Sequence, residues 1–198
     1  QSLTTTLQIA MLSTTIGLFI ALPISILGSQ QLSFEKASFL FRVFLIGVRS
    51  IPSLIWAIIF VSALGIGPVA GVFALGLYSA GSFGKLIIDG MDDFEKKNYF
   101  ALRQLGASKY QAFCKSVLPS ATPLLIGQFT YLLEYNSRAA SRLGLVGAGG
   151  VGQELMYLIE WRKFDHAGIV IFLLIALLIL ADRVSFFIRQ RLLTARGI

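Results

Sequence analysis

The chain has 198 residues, of which 56% are hydrophobic and only 14% are charged, and its mean hydropathy is +0.77. A soluble domain carries about 25% charged residues, so a chain this apolar cannot cover the surface of one. The composition excludes a soluble enzyme, a disordered protein and a nucleic-acid-binding protein, while the net charge of +7 suits a membrane protein with basic cytoplasmic loops. A single cysteine, Cys114, and a single histidine, His166, leave no intrachain disulfide and no Cys/His metal site.

Apolar stretches dominate the chain, and five of them approach the roughly 20 residues that a transmembrane helix needs. These stretches predict an all-α, polytopic membrane bundle of about five transmembrane helices, forming a single domain over residues 1–198. They cover residues 3–27, 43–64, 69–88, 118–135 and 167–181.

The basic residues between and after these stretches predict the topology. Residues 94–115 carry five basic side chains against one acidic side chain, and four arginines follow Asp182. The positive-inside rule places both regions in the cytoplasm, so the chain is expected to start outside and end inside. The glycine-rich stretch 144–159 is too short to span the membrane, and we expect it to dip into the bundle.

The basic segment has the pattern of two short helices joined at a glycine. Residues 101–105 are good helix formers, and Gly106 can end their helix with a positive φ. Ser108 can then cap a second helix over residues 109–117. From the residues alone, the segment is either a compact knob on the cytoplasmic face or an ordinary amphipathic loop. The apolar side of the knob would consist of Leu102, Leu105, Tyr110 and Phe113.

This segment resembles the coupling loop of ABC importer permeases, which has alanine, glycine and Leu-Pro at characteristic spacing. The loop covers about residues 94–118, and the one departure is Phe100, where the family usually has glutamate. The resemblance implies that the loop docks on a separate ATPase subunit. The residues it implies for coupling are Ala101, Arg103, Gly106, Ala107, Ser108, Lys109, Leu118 and Pro119.

Further stretches resemble the phosphonate-importer branch of these permeases. They read RSIP at 49–52, GIGPVAGV at 65–72, EYNSRAA at 134–140 and LGLVGAGGVGQ at 143–153, and the resemblance extends over about residues 4–192. It implies a multi-pass permease of the bacterial inner (plasma) membrane that carries a phosphonate or a related phosphorus oxyanion. Family members usually have one more N-terminal span, so we expect the chain to lack that span.

The resemblance also implies the partners. The permease would pair with a second copy of itself, contact membrane lipid, and bind ABC ATPase subunits below and a periplasmic or lipid-anchored solute-binding protein above. ATP and Mg would bind at the ATPase, with no cofactor on this chain and no nucleic acid as a partner.

Charges within the apolar stretches are candidate functional residues, because ionisable groups are costly inside a membrane. Glu134, Arg138 and Arg142 follow one another at helical spacing and can share one face. One interpretation is a cationic pathway, because the planar fork of arginine suits phosphonate oxygens. The other is a structural ion pair beside an interfacial arginine. The candidate pathway residues are Arg49, Pro52, Glu134, Arg138 and Arg142.

Other functions have weaker support in the sequence. The glycines at 147, 149 and 152 match a dinucleotide-binding pattern but lack the required βαβ context, and we interpret them as closely packed backbone beside the pathway. No nucleophile–base set is present, so we expect no catalytic and no metal-binding residues. The alternatives are a permease for methionine, phosphate or a sulfur oxyanion, an ATP-independent secondary transporter, or a membrane enzyme acting on lipids.

Overall fold

The computed structural model describes residues 1–29, 35–92 and 96–194, and over these ranges the chain is helical without a strand. Residues 94 and 95 of the expected coupling loop and Arg196 of the basic tail lie outside the described residues. The helices are α1 (Ser2–Gly28), α2 (Glu35–Ser50), α3 (Ser53–Leu64), α4 (Pro68–Asp92), α5 (Lys96–Gln104), α6 (Lys109–Ala112), α7 (Leu118–Leu143), α8 (Val151–Glu160) and α9 (Phe164–Thr194).

Three of the described helices, α1, α4 and α9, are long and apolar enough to cross a membrane, and the bent pair α2–α3 would make a fourth span. They correspond to four of the five stretches expected from the sequence. The remaining stretch, 118–135, lies in α7, which has the length at 26 residues but is more polar. Its position inside the bundle, against α1, α4 and α9, explains how it tolerates these polar side chains.

The stretch 43–64, expected as one span, is two helices that meet at 85°. The break falls at Pro52, which has no N–H to donate and whose ring disfavours a helical residue before it. The Pro52 carbonyl accepts from the N–H groups of Ile55 and Trp56, at 3.0 and 3.4 Å, and so begins α3. The Trp56 indole donates to the Val48 carbonyl at 3.3 Å and ties the two helices together across the bend.

Helix α4 forms the centre of the bundle, and α9 lies at its edge. The most apolar 18-residue window of α4 is 67% buried, whereas that of α9 is 6% buried. Helices α1 and α4 approach closely at Gly17, where an added Cβ would lie 2.6 Å from Cβ of Ser79. Small residues permit such close approach of membrane helices, which lets dispersion forces hold them together.

A buried polar group joins three helices. Asn136 of α7 is fully buried, and its side-chain amide donates to Oγ1 of Thr14 on α1 and to Oγ of Ser79 on α4, both at 2.8 Å. Thr14 and Ser79 lie twelve and eleven residues after the starts of their helices, a distance of ~17 Å at 1.5 Å per residue. Because the apolar layer of a bilayer is ~30 Å thick, Asn136 lies near the middle of the membrane.

The glycine-rich stretch after α7 folds back onto the beginning of the bundle. The stretch begins with a 3₁₀ turn, Gly144–Val146. The next residue, Gly147, accepts a hydrogen bond at its carbonyl from the Gly67 N–H at 2.9 Å. The Val151 N–H then donates to Oγ1 of Thr6 at 2.9 Å as α8 begins. This short, returning path agrees with the expectation that residues 144–159 do not cross the membrane.

The α1–α4 contact generates a stability prediction. Gly17→Ala should lower the free energy of unfolding by about 1–3 kcal/mol, because the new methyl group overlaps Ser79 and the Gly76 carbonyl. Gly47→Ala is the matched control, since it also adds a methyl group to a helical glycine but has nothing within 4 Å of the new Cβ. Thermal unfolding in detergent measures both, and equal melting temperatures would contradict this packing.

Candidate functional site

The cytoplasmic knob begins where α5 ends at a left-handed glycine. Gly106 has a φ of +89°, and its N–H donates to the Arg103 carbonyl at 3.2 Å. The Ala107 N–H donates to the Leu102 carbonyl at 3.1 Å, which completes a Schellman motif. The Arg103 guanidinium donates to the Ala107 carbonyl at 2.7 Å and braces the reversal. The predicted helix end at Gly106 is therefore present, with a side-chain brace that the sequence did not reveal.

Ser108 caps the next helix, as the sequence predicted. Its Oγ accepts from the Gln111 N–H at 3.2 Å, and Oε1 of Gln111 accepts from the Ser108 N–H at 2.9 Å. This reciprocal pair is a capping box, which satisfies two otherwise unpaired donors.

The second helix does not end at residue 117, as the sequence suggested, but runs on through a π-helical segment, Phe113–Val117, into α7. Pro119 explains this change from α-helical to π-helical hydrogen bonding, because it has no N–H to offer the Lys115 carbonyl. The preceding Leu118 N–H donates five residues back, to the Phe113 carbonyl, instead. The knob and α7 therefore form one continuous helical path.

The apolar residues of the knob fall on two faces, so the prediction of one apolar side was wrong. Leu102 and Phe113 pack into the bundle core, whereas Leu105 and Tyr110 are 84% and 67% exposed. Phe100, at 55% exposure, adds a third exposed apolar side chain. A side-chain hydrogen bond with Cys114 raises the pKa of Tyr110 above its ordinary value. Large apolar side chains exposed outside the membrane-spanning helices are candidates for contact with a partner.

Of the other residues expected to couple, Ala101, Lys109 and Pro119 are exposed, whereas Leu118 packs against the core. The exposed residues can contact a partner, while Leu118 anchors the knob to the bundle.

The second candidate site is a cavity of about 510 Å³ between α7 and α9. It has room for several water molecules, each of which takes up ~30 Å³ in the liquid. It brings together three of the five residues expected to line a pathway. Its walls are formed by Tyr131, Glu134, Tyr135, Arg138, Ser141, Arg142, Leu174 and Leu178.

Two ion pairs, both formed by Arg138, lie at the edge of this cavity. Arg138 pairs with Glu134 one turn earlier on α7, and its Nη2 also lies 3.3 Å from Oδ1 of Asp182 on α9. Asp182 is a residue that sequence reasoning missed. The available signal was an acidic side chain at the end of the most apolar stretch, immediately before a run of arginines.

The depth of these charges restricts what they can face. Glu134 and Arg138 lie two residues on either side of Asn136, so each is within ~3 Å of its depth along the helix. At that depth a charged side chain facing lipid is costly, and such groups face a protein interior or a water-filled space. The exposed side of α7 is therefore suited to lining an aqueous path or an interface, and unsuited to lipid contact.

Arg49 and Pro52 do not line the cavity. Pro52 is exposed at the α2–α3 bend, and the Arg49 side chain is exposed nearby. Arg49 interacts electrostatically with Tyr78, whose ring stacks on that of Tyr135 with centroids 5.4 Å apart. Because Tyr135 lines the cavity, the two tyrosines connect the region of Arg49 to its wall.

The candidate metal ligands and the glycine pattern can be located among the described residues. No three His, Cys, Asp or Glu side chains come together there as metal ligands. The glycine pattern at 147–152 lies between the 3₁₀ turn and α8, with no strand before it in the described ranges. A dinucleotide-binding turn would need that strand.

Solved structures confirm the predicted all-α permease fold. A methionine ABC transporter, MetNI, solved in inward-facing conformations, superposes with a TM-score of 0.81 over 96% of this chain and 94% of that chain, at 24% identity. An amino acid ABC transporter solved with histidines superposes with a TM-score of 0.78 over 96% and 92% of the two chains, at 17% identity.

Two transport permease proteins are similar to the chain in sequence. The phosphate-import permease protein PhnE of Mycolicibacterium smegmatis is 36% identical over 188 residues, which cover 94% of this chain and 35% of that protein. The phosphite transport system permease protein PtxC of Stutzerimonas stutzeri is 33% identical over 186 residues, which cover 93% and 68%. The chain thus spans about a third of the length of the first relative and two thirds of the second.

The family comparison covers most of the chain. The family described as "binding-protein-dependent transport system inner membrane component" matches residues 13–196. This match agrees with the several apolar helices and the permease fold. The chain therefore belongs to this family of inner membrane transport components and is a multi-pass membrane protein.

Proposed function

We propose that the chain is the permease subunit of an ATP-driven importer and forms the transmembrane pathway for a phosphonate or a related phosphorus oxyanion. The observation that carries the proposal is the cavity between α7 and α9, which Arg138 lines near mid-membrane depth and Arg142 lines about one turn closer to the end of α7. The names of PhnE and PtxC, which refer to phosphate and phosphite, support the same class of substrate. Membership of a binding-protein-dependent family disfavours the ATP-independent transporter and the lipid-modifying enzyme.

The cavity favours anions through its charge and its donors. Arg142 is exposed and takes part in none of the ion pairs among the described residues, so its guanidinium is available to a ligand. Phosphonate oxygens match the planar fork of arginine, which donates two parallel hydrogen bonds. The hydroxyl groups of Tyr131 and Tyr135 add neutral donors to the same walls, whereas the Ser141 hydroxyl donates to the Ser137 carbonyl at 3.3 Å and offers its oxygen as an acceptor. Tight capture is not required here, because a solute-binding protein on the outer side would deliver the ligand.

A second copy of the chain would complete the pathway. The charged side of α7 is open in a single copy, with the Arg138 side chain 47% exposed. Pairing two copies around this side would enclose the charges in water and protein and leave the apolar face of α9 to lipid.

The knob would couple the pathway to an ATPase subunit that binds ATP and Mg. Its exposed Phe100, Leu105 and Tyr110 form an apolar contact surface, and Gly106 and Ser108 set its shape. Nucleotide binding can change the pathway only if the two conformations of the complex bind ATP with different affinity. Because the helical path from the knob into α7 is continuous, a movement of the knob on nucleotide binding would be transmitted directly to the cavity.

The knob geometry generates a prediction about coupling. Gly106→Val should lower the amount of ligand imported per ATP hydrolysed by about fivefold or more, because a β-branched residue resists a φ of +89° by ~1–2 kcal/mol. Gly106→Asn is the matched control, since asparagine tolerates the left-handed region and should retain most coupling. Uptake and ATP hydrolysis are measured together in vesicles that contain the whole transporter. Unchanged coupling in the valine variant would contradict this role.

The cavity generates a prediction about transport. Arg142→Ala should reduce phosphonate uptake about tenfold or more, because a hydrogen bond to a charged group contributes ~1.5–3 kcal/mol. Arg142→Lys should give an uptake rate between those of the wild-type protein and Arg142→Ala, since lysine keeps the charge but lacks the planar fork of donors. Uptake of labelled methylphosphonate is measured in cells that lack the chain and are complemented with each variant at equal membrane abundance.

Lys85→Gln is the control for this experiment, because it removes a cation of the same bundle that does not line the cavity. It should transport at the wild-type rate. Wild-type uptake by the Arg142→Ala variant would argue against the α7–α9 cavity as the pathway.

A further inference from the structure

Asp182 occupies a position that the proposed pathway leaves unexplained. Its carboxylate contacts Arg138 from α9, 44 residues further along the chain. Glu134, the other partner of Arg138, belongs to α7 and moves with it. The Arg138–Asp182 pair is therefore an electrostatic link between the two helices, and it ends on a guanidinium proposed to receive the substrate.

We propose that Asp182 is an internal counter-ion that the transported oxyanion displaces from Arg138, so that loading the pathway releases α9 from α7. This inference rests on the proposed function, because it assumes that an oxyanion reaches the cavity. Oδ1 of Asp182 accepts from Nη2 of Arg138 at 3.3 Å, and a phosphonate oxygen would accept from the same group, so the two ligands compete for one donor.

The exposure of the pair makes exchange feasible. The side chains of Arg138 and Asp182 are 47% and 48% exposed in a single copy, so an anion in the aqueous path that this side of α7 is proposed to line can reach both groups. An exposed ion pair changes an equilibrium by no more than about fivefold. A doubly charged oxyanion that also reaches Arg142 can therefore replace one carboxylate, whereas a buried ion pair would resist replacement.

The Arg138–Asp182 pair lies between two spaces in the protein. Arg138 lines the 510 Å³ cavity, and Asp182 lines a second space of about 330 Å³ with Arg183 and Phe186. Glu134 lines both spaces, so they meet at the ion pair. Separation of Arg138 from Asp182 would join them into one path.

The rest of the α7–α9 interface offers little resistance to this movement. A third space of about 210 Å³ lies between these helices and α1, with mostly apolar walls that include Leu133, Leu177 and Leu180. Apolar contacts are not directional, so the helices can slide or tilt without leaving polar groups unpaired. The ion pair is then the specific element that selects one arrangement.

Competition has a measurable consequence for affinity. A carboxylate that occupies Arg138 reduces the apparent affinity for an anion by the fraction of molecules in which the site is open. Asp182→Asn should therefore bind inorganic phosphate about two- to fivefold more tightly than the wild-type protein. A purely structural Asp182 would instead change the melting temperature and leave phosphate affinity unchanged.

The test uses the detergent-solubilised permease–ATPase complex without a solute-binding protein. Binding of radiolabelled inorganic phosphate is measured by equilibrium dialysis, with methylphosphonate as a competitor. Asp89→Asn is the matched control, because it removes a similarly exposed carboxylate from an ion pair, with Lys85, that does not line the cavity. The double variant Arg138→Ala/Asp182→Asn tests whether any gain depends on Arg138.

We expect Asp182→Asn to bind phosphate more tightly than the wild-type protein and Asp89→Asn to bind it equally. The double variant should lose the gain in affinity. Unchanged or weaker binding by Asp182→Asn, where the wild-type protein binds phosphate, would overturn the counter-ion proposal and leave the proposed pathway intact. A gain that persists in the double variant would also overturn it, because the anion would then bind elsewhere. Absence of binding by every variant would reject the anion site itself, and the counter-ion proposal with it.

Discussion

The hydrogen bonds of Asn136 determine which side of α7 faces the protein. The NH₂ group of an amide in the middle of a membrane must find acceptors within the protein, and Thr14 and Ser79 supply them on two different helices. Successive helical residues are rotated by ~100°, so residues two positions away point to nearly the opposite side. Burying Asn136 against α1 and α4 therefore turns Glu134 and Arg138 outwards. The charged cavity follows from the polar contact on the other face of the same helix.

This constraint depends in turn on close packing between α1 and α4. Thr14 and Ser79 can both reach one amide because small residues, among them Gly17, let their helices approach. The Thr14 hydroxyl also donates to the Ala10 carbonyl at 2.6 Å, which orients its oxygen as an acceptor for Asn136. Packing and hydrogen bonding thus support each other, since a wider helix separation would leave the amide without partners in an apolar environment.

Local features of the chain were predictable from the sequence, and contacts between distant segments were not. Gly106 and Ser108 act through hydrogen bonds to neighbours within five residues, so their residue types suffice. Asp182 escaped notice because its partner is 44 residues away and a spacing argument cannot find it. The exposure of Leu105 also depends on distant structure, because the bundle decides which side of the knob it covers. Similarly, Pro52 marks a break in the chain, but the angle of 85° depends on how α2 and α3 pack against α4.

The continuous path from α6 into α7 connects the three regions that matter for the proposed mechanism. It begins at Lys109 in the knob, passes Asn136 in the core and ends at Leu143 beside the cavity. These 35 residues would extend ~50 Å as a helix, enough to cross the membrane. The π-helical segment Phe113–Val117 interrupts its regular hydrogen bonding at the end of the knob, and such segments are common sites of helix bending. Movement of the knob would then tilt the membrane part of α7 about its buried contact at Asn136, and the outward charges would move relative to α9. Phe113 and Leu143, near the two ends of this path, are also buried, so the path packs against the bundle at the knob, at its middle and beside the cavity.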